Sequence, residues 1–154
     1  MEVMSGWSLH EGSDTNWENK VAKVDGSTYL HDNGWAENLK GLGWKVCRWN
    51  YQQDGESIAF LQGFLKRYPL GVGVLWFPDW IAGDYQLGSG IINILKESLS
   101  LRLFTIHMRS HRQKNGQELK LLEQEFSHAS NPFGSGLTMH LNLSISTGCC
   151  VLTN

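Results

Sequence analysis

Residues 58–77 read IAFLQGFLKRYPLGVGVLWF, and the parsing of this stretch decides the architecture. Ile58, Leu61, Phe64 and Leu65 recur at helical spacing, which predicts a helix from Ile58 to Tyr68 with one apolar face for a sheet. Pro69 disfavours helical geometry in the residue before it and closes that helix. Gly71 to Phe77 follows as a nearly unbroken run of strand formers, as expected of a parallel strand buried on both faces. A helix feeding such a strand is half of a βαβ unit.

Working outward, the same alternation continues. Lys20 to Val24 reads as a first strand closed by Asp25-Gly26-Ser27, with Ser27 as helix N-cap. A helix from Thr28 to Lys40 follows, weakened at Asn33-Gly34 because an interior Gly costs about 1 kcal/mol. Gly41 and Gly43 then lead into a strand from Trp44 to Trp49. Beyond Phe77, a loop from Pro78 to Gly90 precedes a helix from Ile91 to Leu99, whose buried stripe is Ile91, Ile92, Leu95 and Leu99. A strand from Leu101 to His107, a basic loop from Arg109 to Gly116 and a helix from Gln117 to His128 complete the pattern. The last element differs: Leu137, Met139, Leu141, Leu143 and Ile145 alternate strictly with polar residues. That marks an edge or antiparallel strand, or one that pairs with a second copy or a protein partner through Leu137 to Ile145. The expected fold is α/β: a Rossmann-like, open, mostly parallel sheet of about four strands flanked by helices, plus this C-terminal edge strand. It forms one domain over residues 19–154, behind a polar N-terminal segment at residues 1–18.

Composition narrows the class. In 154 residues, 41% are hydrophobic and 18% charged, too apolar for disorder, while no apolar run approaches the ~20 residues of a membrane span. The net charge of −2 and the scattered Lys and Arg argue against a nucleic-acid partner. The opening residues lack a basic stretch followed by an apolar one, and three cysteines is an odd count, so a cytoplasmic, reducing setting is expected.

In open α/β sheets, ligands bind beyond the carboxyl ends of the strands. That rule selects Asp25, Gly26 and Ser27, then Asn50 and Tyr51, then Pro78, Asp79 and Trp80, and finally His107 and Arg109. Trp80 offers an aromatic face for a ring, and His107 an imidazole that can take a proton near neutral pH. Asp25, Gly26, Ser27, Asp79, Trp80 and Arg109 are thus the ligand-binding candidates and His107 the catalytic one. Gly88-Ser89-Gly90 before a helix could present backbone N–H groups to an anion. His107 and His111 lack the Glu of a metalloprotease helix, and no metal site is expected. Trp7 and Trp17, in the polar amino-terminal segment, are further candidates for partner contact.

Gly26-Ser27-Thr28, Asn33 to Leu39 and Leu42-Gly43-Trp44-Lys45-Val46 together resemble the opening of the N-terminal domain of GT-B glycosyltransferases. Gly73 to Trp80, and Leu103 to His107 with its Thr-x-His ending, are similar to later strands of that family. The resemblance implies an acceptor-side half-domain, without the second domain that supplies most donor contacts. It further implies a sugar or nucleotide-type ligand in a cleft lined by Asp25, Gly26 and Ser27, with His107 as base. The alternative is a non-enzymatic interaction or small-ligand module binding nucleotide, flavin or cobalamin. His31-Asp32-Asn33-Gly34 is similar to the His-Asp-x-Gly of cobalamin binders.

Overall fold

The computed structural model describes residues 5–84, 90–99, 101 and 103–110, together with three further strands at 127–128, 137–146 and 149–152. Its elements are β1 (Gly6–Leu9), α1 (Asp14–Val21), a 3₁₀ turn (Tyr29–His31), α2 (Asn33–Gly41), β2 (Lys45–Gln53), β3 (Glu56–Tyr68), β4 (Val72–Phe77), β5 (Ala82–Gly83), α3 (Ile91–Leu99), β6 (Leu103–Ser110), β7 (Ser127–His128), β8 (Leu137–Ser146) and β9 (Cys149–Leu152). They form one mixed sheet in the order β1-β2-β3-β4-β6-β8-β7, with β5 added to β3 and β9 to β8.

The expected mostly parallel, four-stranded Rossmann-like sheet is overturned. Among the described residues every strand pair is antiparallel except β4 with β6. The pivotal misreading is 58–68, which is strand β3 rather than a helix. Ala59 to Leu65 are all buried, because β3 carries packing on both faces. Phe60 meets Trp17 of α1 and Phe64 meets α2, while Leu61 and Leu65 face the core beneath α3. A strand covered on both sides loses its period of two, and the surviving apolar positions mimic a helix. Pro69 therefore closes a β3–β4 hairpin turn, in which Leu70 takes φ 66°.

The expected strand at Lys20 to Val24 is the end of α1 and the turn after it. Ser13 caps α1 by accepting from the Asn16 N–H, and Trp17 and Val21, four residues apart, bury one stripe. Trp7 and Trp17 are core residues, Trp17 fully enclosed. The helix expected at Thr28 to Lys40 splits into the 3₁₀ turn, capped by Thr28, and α2. Helices α1 and α2 cover one face of β2–β4, and α3 covers the other.

β8 matches its expected range and is antiparallel, but it is not an edge. β6 occupies one side, and β7 and β9 pair along the other at residues 139–140 and 143–146. Its alternation comes from an antiparallel interior position, so the backbone of Leu137 to Ile145 is largely committed within the chain. The expected helix at 117–128 lies outside the described residues, apart from its last two, which form β7.

Candidate functional site at the parallel strand pair

The one parallel pair among the described strands determines where a ligand crevice can form. β4 and β6 run side by side from Val72↔Leu103 to Phe77↔Met108, and α3 belongs to the crossover between them. Their carboxyl ends and the start of α3 are where strand ends and a helix N-terminus meet. Gly90 sits immediately before α3. Among the described residues, a Cβ added there meets only Trp7 Cδ1, at 3.8 Å, so their packing does not demand glycine. The preceding residues 85–89, including Gly88 and Ser89, lie outside the described residues.

At this end β4 parts from β3. Phe64 pairs with Trp76, but Phe60 pairs with Ala82, so the five residues Phe77–Ile81 span the three residues Leu61–Gly63. The strand bulges and its ladder to β3 stops. Gly63 makes room: a Cβ there would lie 2.5 Å from the buried Phe77 ring. Phe77, Trp80 and Ile81 turn into the core beneath α3, with Phe77 and Trp80 edge to face at 5.5 Å.

The bulge is met by the connector between α1 and α2. Thr28 Oγ1 donates to Asp79 Oδ2 at 2.9 Å, and Asp79 Oδ1 accepts from the Trp80 N–H at 2.9 Å. His31 is buried, with Nε2 2.8 Å from the Trp80 carbonyl and Nδ1 accepting from the Thr28 N–H at 3.2 Å. An acceptor Nδ1 leaves the proton on Nε2, so neutral His31 donates to Trp80. Burial pushes the His31 pKa below its ordinary 6.5, against the raising influence of the Trp80 carbonyl and Asp79.

A pH dependence follows. Folded His31 stays neutral where unfolded His takes up a proton, so the unfolded chain binds more protons below about pH 6.5. The contribution is complete above that pH and is lost as pH falls, by at most about 1.4 kcal/mol per pH unit for one group. His10, whose pKa burial also lowers, acts in the same direction. Thermal melts should be level from pH 8 to 7 and fall towards pH 5, less steeply in His31→Gln. Identical slopes for the two proteins would refute this.

The sequence candidates are partly brought together. Asp25 to Ser27 lie in the connector, where the Asp25 carbonyl accepts from the Gly83 N–H at 2.8 Å, and Thr28 ties the same connector to Asp79. Asp79 and Trp80 are buried. His107 stands beside Trp76 in the β4–β6 register, at the same end as Trp80. It is on the opposite face, since its neighbours Ile106 and Met108 belong to the core beneath α3 and His107 is exposed. Trp76 lies on the α2 side with Trp44, and His140 of β8 is opposite His107. Asn50 and Tyr51 lie inside β2 rather than beyond it, and through Phe60 and Ala59 of β3 they are level with Ala82 and Gly83 of β5, just past the bulge. Arg109 is in β6 opposite Thr138, and its side chain and all of His111 lie outside the described residues. Among the described residues no group of three His, Cys, Asp or Glu could hold a metal, and no helix is long and apolar enough to cross a membrane.

Sequence reasoning missed His31 as a structural pivot, seeing in it only a cobalamin-type motif. Its signal was the Thr-x-x-His spacing of a capping box, Thr28 to His31. It also missed the buried Arg48 and Gln62, whose interior positions no local pattern announces.

No protein-family model and no curated protein matches the sequence. Solved structures do match in fold. FemX superposes with a TM-score of 0.60 at 19% identity over 79% of this chain, which spans about a third (32%) of FemX. The ribosomal-protein-S18-alanine N-acetyltransferase from Escherichia coli gives 0.56 at 20% identity, covering 94% of this chain and 97% of its own. A Bacillus subtilis acetyltransferase in complex with CoA gives 0.51 at 13% identity, covering 93% and 100%. These neighbours overturn the GT-B resemblance: glycine turns, helices and a parallel strand are common to both folds, whereas the antiparallel β2–β3–β4 meander is absent from the expected Rossmann-like sheet. The chain has the mixed-sheet fold of GNAT-type acetyltransferases.

Proposed function

We propose that this protein is an acyltransferase that binds a coenzyme A thioester at the carboxyl ends of β4 and β6 and passes the acyl group to an amine. The observation that carries the reading is the parallel pair β4–β6 with its crossover helix, within a fold shared along nearly the whole chain with acetyltransferases, one of them holding CoA. Gly88, Ser89 and Gly90 lead into α3, so their N–H groups and the helix dipole suit a pyrophosphate. Gly90 has room for a side chain, which a closely approaching ligand would use instead.

In the transfer, the amine nitrogen attacks the thioester carbonyl carbon, forming the C–N bond. The C–S bond breaks, and sulfur leaves as the CoA thiolate. His107, exposed beside Trp76, takes the proton lost by the amine and returns it to sulfur as the thiol departs. Asp25, Gly26 and Ser27, with Asp79 and Trp80, shape the mouth from behind, and Arg109 at the end of β6 is a candidate phosphate partner.

The test is a thermal-shift panel of CoA, acetyl-CoA, nucleotide sugars, flavin and cobalamin. CoA and acetyl-CoA should raise the melting temperature, by the equivalent of about 2.7 kcal/mol at 100 times Kd, and the others should not. Gly90→Glu should weaken CoA binding at least about tenfold through charge repulsion, with an unchanged melting temperature without ligand. CoA binding without turnover on any amine would leave the small-ligand module. No shift with CoA would end the acyltransferase reading.

A further inference from the structure

The path of Phe77–Ile81 is not set by the sheet on its β3 side, because the β3 ladder stops at Trp76 and resumes at Ala82. Side chains of the α1–α2 connector take over. Asp79 is tied through Thr28, and the Trp80 carbonyl through His31. The connector is itself anchored: Trp17 Nε1 donates to the His31 carbonyl at 2.8 Å, and Gln62 Nε2 to the Leu30 carbonyl at 3.0 Å. Every member of this set is fully or partly buried, so its bonds are shielded from competing water.

We propose that His31 and Asp79 are positioning residues for the donor site: with Thr28 they clamp the bulge after β4 and so set the width of the crevice at the carboxyl ends of β4 and β6. This rests on the coenzyme A reading of that crevice. Neither side chain touches the ligand, and both act through the backbone of residues 79–81. A crevice of fixed width spares the ligand the cost of ordering the bulge on binding.

Two substitutions of His31 separate positioning from mere filling of space. In His31→Gln the amide can still donate to the Trp80 carbonyl in place of Nε2. In His31→Asn the side chain is too short to reach it and retains only the acceptor for Thr28. By isothermal titration with CoA, His31→Gln should keep Kd within about threefold of the parent, and His31→Asn should raise it about tenfold. Thr28→Val, which removes the hydroxyl that holds Asp79 and caps the 3₁₀ turn, should also raise Kd, and it keeps the test open if the His31 variants do not fold. Equal CoA affinity in the parent, His31→Asn and Thr28→Val would overturn the proposal. If the parent does not bind CoA, the donor-site reading fails instead. Hydrogen exchange at residues 79–83 then decides the clamp: faster exchange in Thr28→Val and His31→Asn than in the parent upholds it, and unchanged exchange refutes it.

Discussion

Gly83→Ala is expected to destabilise the protein by about 4 kcal/mol. Gly83 has φ 92°, a region that L side chains rarely adopt, and a Cβ there would lie 2.2 Å from the Ile58 carbonyl oxygen and 3.0 Å from Ala59 Cα. Both obstacles are backbone. Ala59 is held on its other side by Tyr51 of β2, so β3 cannot retreat. Gly83 cannot move away without losing its own pairing with Ala59 and its N–H bond to Asp25. For a domain of this size the loss corresponds to a fall of roughly 8–16 °C in melting temperature. Gly43→Ala is the control, since Gly43 has φ 81° with no atom of the described residues within 4 Å of the added Cβ. It should cost only the backbone penalty, about 1–2 kcal/mol. Similar melting temperatures for the two variants would show that the β3–β5 junction is not as tight as described.

Replacement of Arg48 by Met should cost about 3 kcal/mol in urea unfolding. Arg48 is buried on β2 and sends its donors in three directions: Nε to Gln62 Oε1 at 2.7 Å, one terminal nitrogen to Asp14 and the other to Asn33 Oδ1 at 3.1 Å. Its guanidinium also lies 5.0 Å from the Trp17 ring centre. One side chain thus joins the first turns of α1 and α2 to β2 and β3. Met keeps the aliphatic stem but leaves the buried Gln62 oxygen without its donor. Arg48→Lys restores charge but not the fork, and should recover only part of the loss. The hydrogen bond from Arg48 is the main reason that the Asp14 pKa lies below its ordinary 3.8. That contribution is present above pH 3.8 and is lost as pH falls through the lowered value, so Arg48→Met should abolish this part of the acid dependence. An unaltered acid limb in the variant would show that Asp14 is not paired in solution.

Several elements were legible because their signals are local. α3 came out at Ile91–Leu99, with its stripe of Ile91, Ile92, Leu95 and Leu99 buried as the spacing requires. β4 and β8 were found from an apolar run and from strict alternation. The emphasis on strand ends led to Asp79, Trp80 and His107, which do gather at one end of the sheet, with Trp80 and His107 on opposite faces. β3 was not legible, because burial on both faces erased its period. Nor was the end of α1, where Val21 and Val24 suit a strand and only the enclosure of Trp17 and Val21 reveals a helix face.

By itself, then, the sequence determined which segments are apolar, where the chain must turn and which glycines precede α3, since these depend on neighbours within a few residues. Strand direction, the face on which each residue falls and the pairing of the α1–α2 connector with the β4 bulge were decided only by the tertiary structure. Thr28 and Asp79 are 51 positions apart, and His31 and Trp80 are 49 apart. A hydrogen bond of that span has no local pattern, because its partners meet only after β3 has reversed against β2 and β4 against β3.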